Sequence, residues 1–480
     1  MISENELTPT KVAPSLQKTS SDPSAATASL KGGAGMFSPP ISKPKPPMPN
    51  PIPQSASTGA VDPDKFHPAE PQTLKETGLT EALLASLVFK HLFAVGENTG
   101  RGVARALAMP GKAVLDVLAD MKNQRLCFYK GSGNMGDFMY ALTEEGRDRA
   151  KKYMEESMYV GAAPVSLEQY AESVKAQTIN SERPTREDLD RAFSDLLVND
   201  GMFERLGPAI NSARGMFLYG YPGNGKSSIA ERVTACFEST IWVPFTLIVD
   251  GTIIKFYDPE VHRAVRPENS ILKTAPFDPR WIEVRRPTII VGGELTMGSL
   301  ELQYDPYTKV TEPSVQLKSN CGTLVIDDFG RQRMDPTELL NRWIVPLEMR
   351  HDYLTLASGK KIQVPFDQLI IFSTNLEPKD LVDDAFLRRI PYKINVDNPS
   401  EEEFRELFRI MARILEIPHV EAEIDYLIET HYKPFNRPFR CCQPRDLLLQ
   451  IKNRSSYLKI PREMNHEAFD AACDCYFSIM

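Results

Sequence analysis

Gly220-Tyr221-Pro222-Gly223-Asn224-Gly225-Lys226-Ser227 fits the spacing G-x-x-x-x-G-K-[ST]. Glycines at three places in this run let the backbone curl and turn successive N–H groups inward, as a nest for phosphate oxygens. Lys226 then reaches the β- and γ-phosphates, and the Ser227 hydroxyl ligates Mg²⁺. Met216-Phe217-Leu218-Tyr219 ahead of the run is apolar, as in a buried parallel strand. Ser228, counted with the loop, opens a helical pattern to Ala235 whose N-terminus favours an anion. A glycine-rich turn alone could match by accident. A strand before it and a helix after it point to binding of a nucleoside triphosphate.

Two further runs supply the groups such a site needs. Thr323-Leu324-Val325-Ile326-Asp327-Asp328 reads as a central strand with two carboxylates at its C-terminal end, where ligands bind in an open α/β sheet. Asp327 is placed to hold Mg²⁺, and Asp328 to orient and deprotonate the attacking water. Leu369-Ile370-Ile371-Phe372-Ser373-Thr374-Asn375 is a second buried strand, ending in a polar triplet whose Asn375 can hydrogen-bond the γ-phosphate or the water. Thr246 to Asp250 and Thr288 to Val291 are candidate strands. No N-K-x-D base-reading signature follows the loop, which argues against a GTPase.

The chain has 480 residues, enough for about three domains. Its 42% hydrophobic and 25% charged content suits a soluble globular protein. A net charge of -8 excludes a polyanion footprint over the whole molecule and leaves room for a local basic patch. No apolar run approaches the ~20 residues of a membrane span, and the N-terminus lacks the basic start and apolar core of a signal peptide. The seven cysteines are odd in number and scattered, which suggests reduced thiols in a cytoplasm. Cys441-Cys442 and Cys473-x-Cys475 lack zinc-knuckle spacing and read as small apolar residues.

Residues 1–76 hold 14 of the 38 prolines, with no periodic apolar face, and are expected to be a disordered tail. Its Lys43-Pro44-Lys45-Pro46-Pro47 run favours polyproline II. Residues 77–160 change character. Leu83, Leu84, Leu87, Val88 and Leu92 recur at helical spacing, a short second pattern follows Arg101, and Val114, Leu115, Val117, Leu118 and Met121 make a third. Arg125 to Tyr129 and Phe138 to Leu142 then flank a turn over Lys130 to Asn134, as a hairpin. This pattern resembles a winged helix-turn-helix domain. That resemblance implies a third helix for the DNA major groove, but here the helix carries Lys112, Asp116, Asp120 and Lys122 without basic excess. Docking to protein is as good a reading as binding DNA. Residues 161–182 read as a polar linker, with Ser166-x-x-Gln169 as a capping box; Thr185-x-x-Asp188 opens a nucleotide domain over 183–398. Residues 399–480 turn helical behind the capping box Ser400-x-x-Glu403.

Two more runs complete an order: Asp384-Ala385-Phe386-Leu387-Arg388-Arg389-Ile390-Pro391, and Arg440-Cys441-Cys442-Gln443-Pro444-Arg445-Asp446-Leu447. Phosphate loop, Asp-Asp strand, Ser-Thr-Asn strand, Phe-Leu-Arg-Arg and Pro-Arg in this sequence resemble the AAA+ ATPase family over roughly 183–480. The resemblance implies an α/β core with a parallel sheet flanked by helices, a C-terminal helical lid, and hydrolysis of ATP with Mg²⁺. Asn375 would be sensor 1 and Arg445 sensor 2. Arg389, rather than Arg388, would be an arginine finger acting in a neighbour's site, which implies a homo-oligomer, most often a hexamer. Many members carry Glu where Asp328 stands.

A hairpin over Met349 to Leu356 and Lys361 to Val364 is similar to the presensor-1 hairpin of the clade with MoxR-like chaperones. Leu300 to Tyr304 and Val315 to Leu317 suggest a second hairpin around Asp305 to Thr308, where that clade carries pore loops. The function so implied is a ring-forming, chaperone-like remodeller of a protein client. The alternatives are a DNA-binding regulator or mobile-element helper acting through residues 77–160, and a nucleotide-binding scaffold with negligible hydrolysis.

Overall fold

The computed structural model describes residues 66–132, 137–265 and 276–478. The proline-rich run at 43–49 and the turn residues Gly133 and Asn134 lie outside them.

Five strands form a wholly parallel sheet, in the spatial order Thr288–Val291, Thr323–Ile326, Leu369–Thr374, Met216–Tyr219, Tyr392–Asn395. The three central strands are covered on both faces and are buried along almost their whole length, while the edge strands Thr288–Val291 and Tyr392–Asn395 expose Ile290 and Lys393. Met216 and Leu218 pack on one face with Val325, Ile371, Ile229 and Leu206. Phe217, Leu324, Ile326 and Phe372 pack on the other, around the fully buried Trp343 of helix Pro336–Met349. This alternation fixes register, because a slip of one residue would exchange the faces. The phosphate loop, the two acids and Asn375 all follow strand C-termini and so meet at one edge.

Residues 66–165 contain helices Glu81–Val95, Gly100–Ala106 and Gly111–Asn123, strands Glu97–Thr99, Cys127–Ser132 and Phe138–Leu142, and helix Glu144–Glu156. Phe138–Leu142 is the central strand of an antiparallel trio. Thr80, Thr99 and Thr143 cap three helices by accepting backbone N–H bonds. Leu115, grouped with the apolar stripe by spacing, is 40% exposed on the third helix, beside exposed Asp116.

Lys90 is buried in this module, and its Nζ donates to the Ser157 carbonyl at 3.3 Å. Burial pushes its ammonium down to about 8, against the pull of Glu156. Below that pH both folded and unfolded chains hold the proton, and the buried charge is a full cost. Between pH 8 and the ordinary lysine value the unfolded chain binds more protons, so stability rises with pH across that window. Lys90→Met keeps the stem and removes the charge. It is expected to slow labelling of the buried Cys127 thiol by about tenfold at pH 7, with the ratio shrinking towards pH 10. A ratio independent of pH would mean that Lys90 is not the group responsible.

The region read as a polar linker with a short helix capped at Ser166 carries that helix, with Ser166 accepting from Gln169 N–H, and a strand as well. Val165–Ser166 pairs in parallel with Thr246–Val249, and helix Leu167–Ala176 buries Tyr170 and Val174. These join a second five-stranded sheet in the order Gln303–Asp305, Val310–Glu312, Thr252–Lys255, Thr246–Val249, Val165–Ser166. Thr246–Val249 is therefore a strand, but outside the parallel sheet. The hairpin after Leu300 closes differently from its expected form. Gln303–Asp305 pairs with Val310–Glu312, while Val315–Lys318 is a short helix capped by Ser314. Pro313 falls between the two; its fixed φ and missing N–H end the strand, and Ser314 starts the helix. His351–Thr355 and Lys361–Pro365 form an antiparallel hairpin.

The C-terminal residues form helices Glu401–Leu415, Glu421–Leu427, Gln443–Leu458 and His466–Tyr476 around Phe404, Phe408, Leu447 and Phe469. Ser400 and Glu403 make a reciprocal capping box. Among the described residues no helix is long and apolar enough to cross a membrane. All seven cysteines are free thiols.

Candidate functional site

Gly220 and Gly223 have φ of 134° and 86°. A Cβ on Gly220 would lie 2.6 Å from the Val396 carbonyl, and one on Gly223 2.6 Å from Cys442 Sγ, so neither position admits a side chain. The loop ends at Gly225, where helix Lys226–Val233 begins. Lys226 is buried and spends its three donors on the Gly220 carbonyl at 3.0 Å, the Tyr221 carbonyl at 2.9 Å and Asn375 Oδ1 at 2.8 Å. Burial lowers its pKa, partly offset by Asp328 and Asp327.

Asn375 passes the connection on, since its Nδ2 donates to Asp328 Oδ1 at 3.1 Å. Ser227 Oγ donates to Asp327 Oδ1 at 2.9 Å. Loop, Asp-Asp strand and Ser-Thr-Asn strand are thus joined by side chains. Ser227 and Asp327 are hard oxygen donors and fit Mg²⁺, which takes one or two carboxylates and completes its shell from phosphate and water. No cluster of three or more His, Cys, Asp or Glu suited to a metal occurs among the described residues.

Asp328 has φ 49°, uncommon for a residue with a side chain. The turn is held on both sides. Phe329 N–H donates to the Ser373 carbonyl at 2.7 Å, and Thr374 Oγ1 to the Phe329 carbonyl at 2.8 Å. Gln332 Nε2 donates to the carbonyls of Asp327 and Asp328, both at 3.1 Å, and its Oε1 accepts from Gly330 N–H at 2.8 Å. No sequence pattern marked Gln332.

Asn224 Nδ2 donates to the Asp397 carbonyl at 3.2 Å and to Asn398 Oδ1 at 2.9 Å, tying the loop to the start of the C-terminal helices. Its Oδ1 is buried without a partner, and Asn224 lines a cleft together with Val198, Met202, Ile229, Leu407 and Cys441. Pro222 and Tyr221 are touched by Arg440, through a bond from Nη1 to the Pro222 carbonyl at 3.1 Å and a guanidinium 4.8 Å from the Tyr221 ring centre. Ser228, third in the helix, gives its carbonyl to Arg232 Nη1.

The arginines singled out by spacing sit elsewhere. Arg445 is 60% exposed and bonds Asp446 at 3.0 Å. Arg389 pairs with Glu348 at 2.7 Å, at the end of helix Pro336–Met349, and Arg388 is exposed. The same helix carries Arg342, whose guanidinium bonds the buried Asp352 at 2.5 Å and Glu301 at 3.0 Å. It therefore connects the region after the acids with the His351–Thr355 hairpin, with Glu301 ahead of strand Gln303–Asp305, and with Arg389.

A family model described as a domain of unknown function (DUF8689) matches residues 400–475. No curated protein matches this sequence. Among solved structures, the RuvB Holliday junction branch migration motor of Thermotoga maritima is similar at 13% identity and a TM-score of 0.34, covering 59% of this chain and 70% of that one. NtrX from Brucella abortus is similar at 14% identity and a TM-score of 0.35, covering 56% of this chain and 54% of that one. These overlaps are too loose to assign a family.

Proposed function

We propose that this chain is a Mg²⁺-dependent ATPase of the AAA+ type that works as a ring and remodels a protein client. The observation that carries the reading is the side-chain path Lys226–Asn375–Asp328, which links three separate motifs at the C-terminal edge of a parallel sheet. Lys226 and the loop N–H groups hold the phosphates. Asn375 lies between Lys226 and Asp328, where it can orient a water. Asp328 accepts that water's proton as its oxygen attacks the γ-phosphorus in line and the bond to the β-phosphate oxygen breaks. Ser227 and Asp327 would hold Mg²⁺, which when bound neutralises charge on the phosphate oxygens. Arg389 acts on a neighbour's phosphate, and Arg445 belongs to a helical lid over 399–480.

The cleft that Asn224 lines with Val198, Met202, Ile229, Leu407 and Cys441 takes the base. Residues 77–160 serve as a winged helix that docks protein. Supporting this over DNA are exposed Phe128, Tyr129, Phe138 and Leu115 and a third helix without basic excess. Free thiols suit a reducing cytoplasm.

The test is steady-state phosphate release from ATP by the purified chain, with Mg²⁺ and then with excess chelator. Release that stops with chelator is expected. Tight ATP binding without release would favour a scaffold, and a salt-sensitive shift of duplex DNA by the full chain would favour a DNA-bound regulator.

A further inference from the structure

The family resemblance gives Arg445 the place of sensor 2, but its contacts go to its neighbour Asp446. Arg440, five residues earlier, is the one that touches the loop. Its Nη1 donates to the Pro222 carbonyl, its guanidinium lies over the Tyr221 ring, and its Cδ is 3.8 Å from where a Cβ on Gly223 would be. The backbone beneath it is fixed. Arg440 N–H donates to Gln443 Oε1 at 2.8 Å, and Cys442 N–H donates to the Gly223 carbonyl at 2.9 Å. Helix Gln443–Leu458 therefore starts against the phosphate loop, with Arg440 as its side-chain donor to it and Cys442 as its backbone donor.

We propose that Arg440 is the residue through which the C-terminal helices read the number of phosphates in the loop. The proposal rests on the nucleotide reading above. Arg440 and Lys226 are two like charges on one loop, both donating to its backbone carbonyls. An anion relieves that repulsion. A neutral carbonyl such as that of Pro222 is a weak acceptor for a guanidinium, whereas phosphate oxygens offer a charge-assisted, two-pronged partner. The Tyr221 face holds the guanidinium plane at the loop's rim. When a triphosphate fills the loop, Arg440 exchanges the Pro222 carbonyl for phosphate oxygen and draws helix Gln443–Leu458 down with it. A monophosphate, held further back, leaves the carbonyl contact in place.

The experiment is equilibrium binding of ATP, ADP and AMP with Mg²⁺ to the full chain, as wild type, Arg440→Gln, Arg440→Lys and Lys226→Ala. Arg440→Gln is expected to weaken ATP by about tenfold or more, ADP by less, and AMP by less than about twofold. Arg440→Lys, which keeps the charge without the fork, should fall between wild type and Arg440→Gln, and it carries the test if the Gln variant does not fold. Equal losses for all three nucleotides, or none, would overturn the proposal. If Lys226→Ala abolishes ATP binding while Arg440→Gln binds normally, only the role of Arg440 falls. If Lys226→Ala binds as wild type does, the nucleotide reading falls first.

Discussion

Asp328→Asn is expected to bind ATP as wild type does and to release phosphate at least about a hundredfold more slowly. The substitution is nearly isosteric, and the amide oxygen can still accept from Asn375 Nδ2, so the path to Lys226 survives. The turn at φ 49° also survives, because Asn tolerates the left-handed region as well as Asp does. What is lost is a group able to take the proton of the attacking water. The variant thus separates binding from chemistry, and it is the form suited to trapping a client. Undiminished phosphate release would mean that another group is the base. Gln332, Ser373 and Thr374 hold the turn that carries the carboxylate to Asn375.

Arg389→Ala is expected to lower phosphate release on the order of a thousandfold, since an arginine finger supplies charge stabilisation that appears only in the transition state. A merely structural arginine paired with Glu348 would cost stability and leave turnover largely intact. Mixing distinguishes the two. In an equimolar mixture of Arg389→Ala and Asp328→Asn chains, about one interface in four joins an intact Asp328 to an intact Arg389. Phosphate release should then rise well above that of either variant alone. No recovery, from chains shown to co-assemble, would remove Arg389 from the neighbour's site.

The parts of this molecule legible in its sequence are those encoded in short contiguous runs. Met216 to Ser227, Thr323 to Asp328 and Leu369 to Asn375 each carry a strand and its terminal chemistry together, and parallel burial makes them apolar throughout. The second sheet was not legible, because Thr246–Val249 takes its partners from Val165–Ser166 and Thr252–Lys255, and nothing in its own residues names them. Leu115 misled, since helical spacing cannot tell a core leucine from one left at the surface. Gln332 and Arg440 act through backbone carbonyls, which any sequence supplies, so only the folded chain reveals them. Arg440 did carry one signal: it is a second basic residue in the run that ends in Pro444-Arg445.

The most direct measurement is titration of Mg·ATP onto wild-type chain and onto Lys226→Ala, with equal folding established by circular dichroism. Removing Lys226 strips the loop of the cation that now holds Gly220, Tyr221 and Asn375. Saturable binding of one ATP per wild-type chain, and none to Lys226→Ala at the same concentrations, is the predicted result. ATP bound with equal affinity by both would place the nucleotide elsewhere and contradict the account.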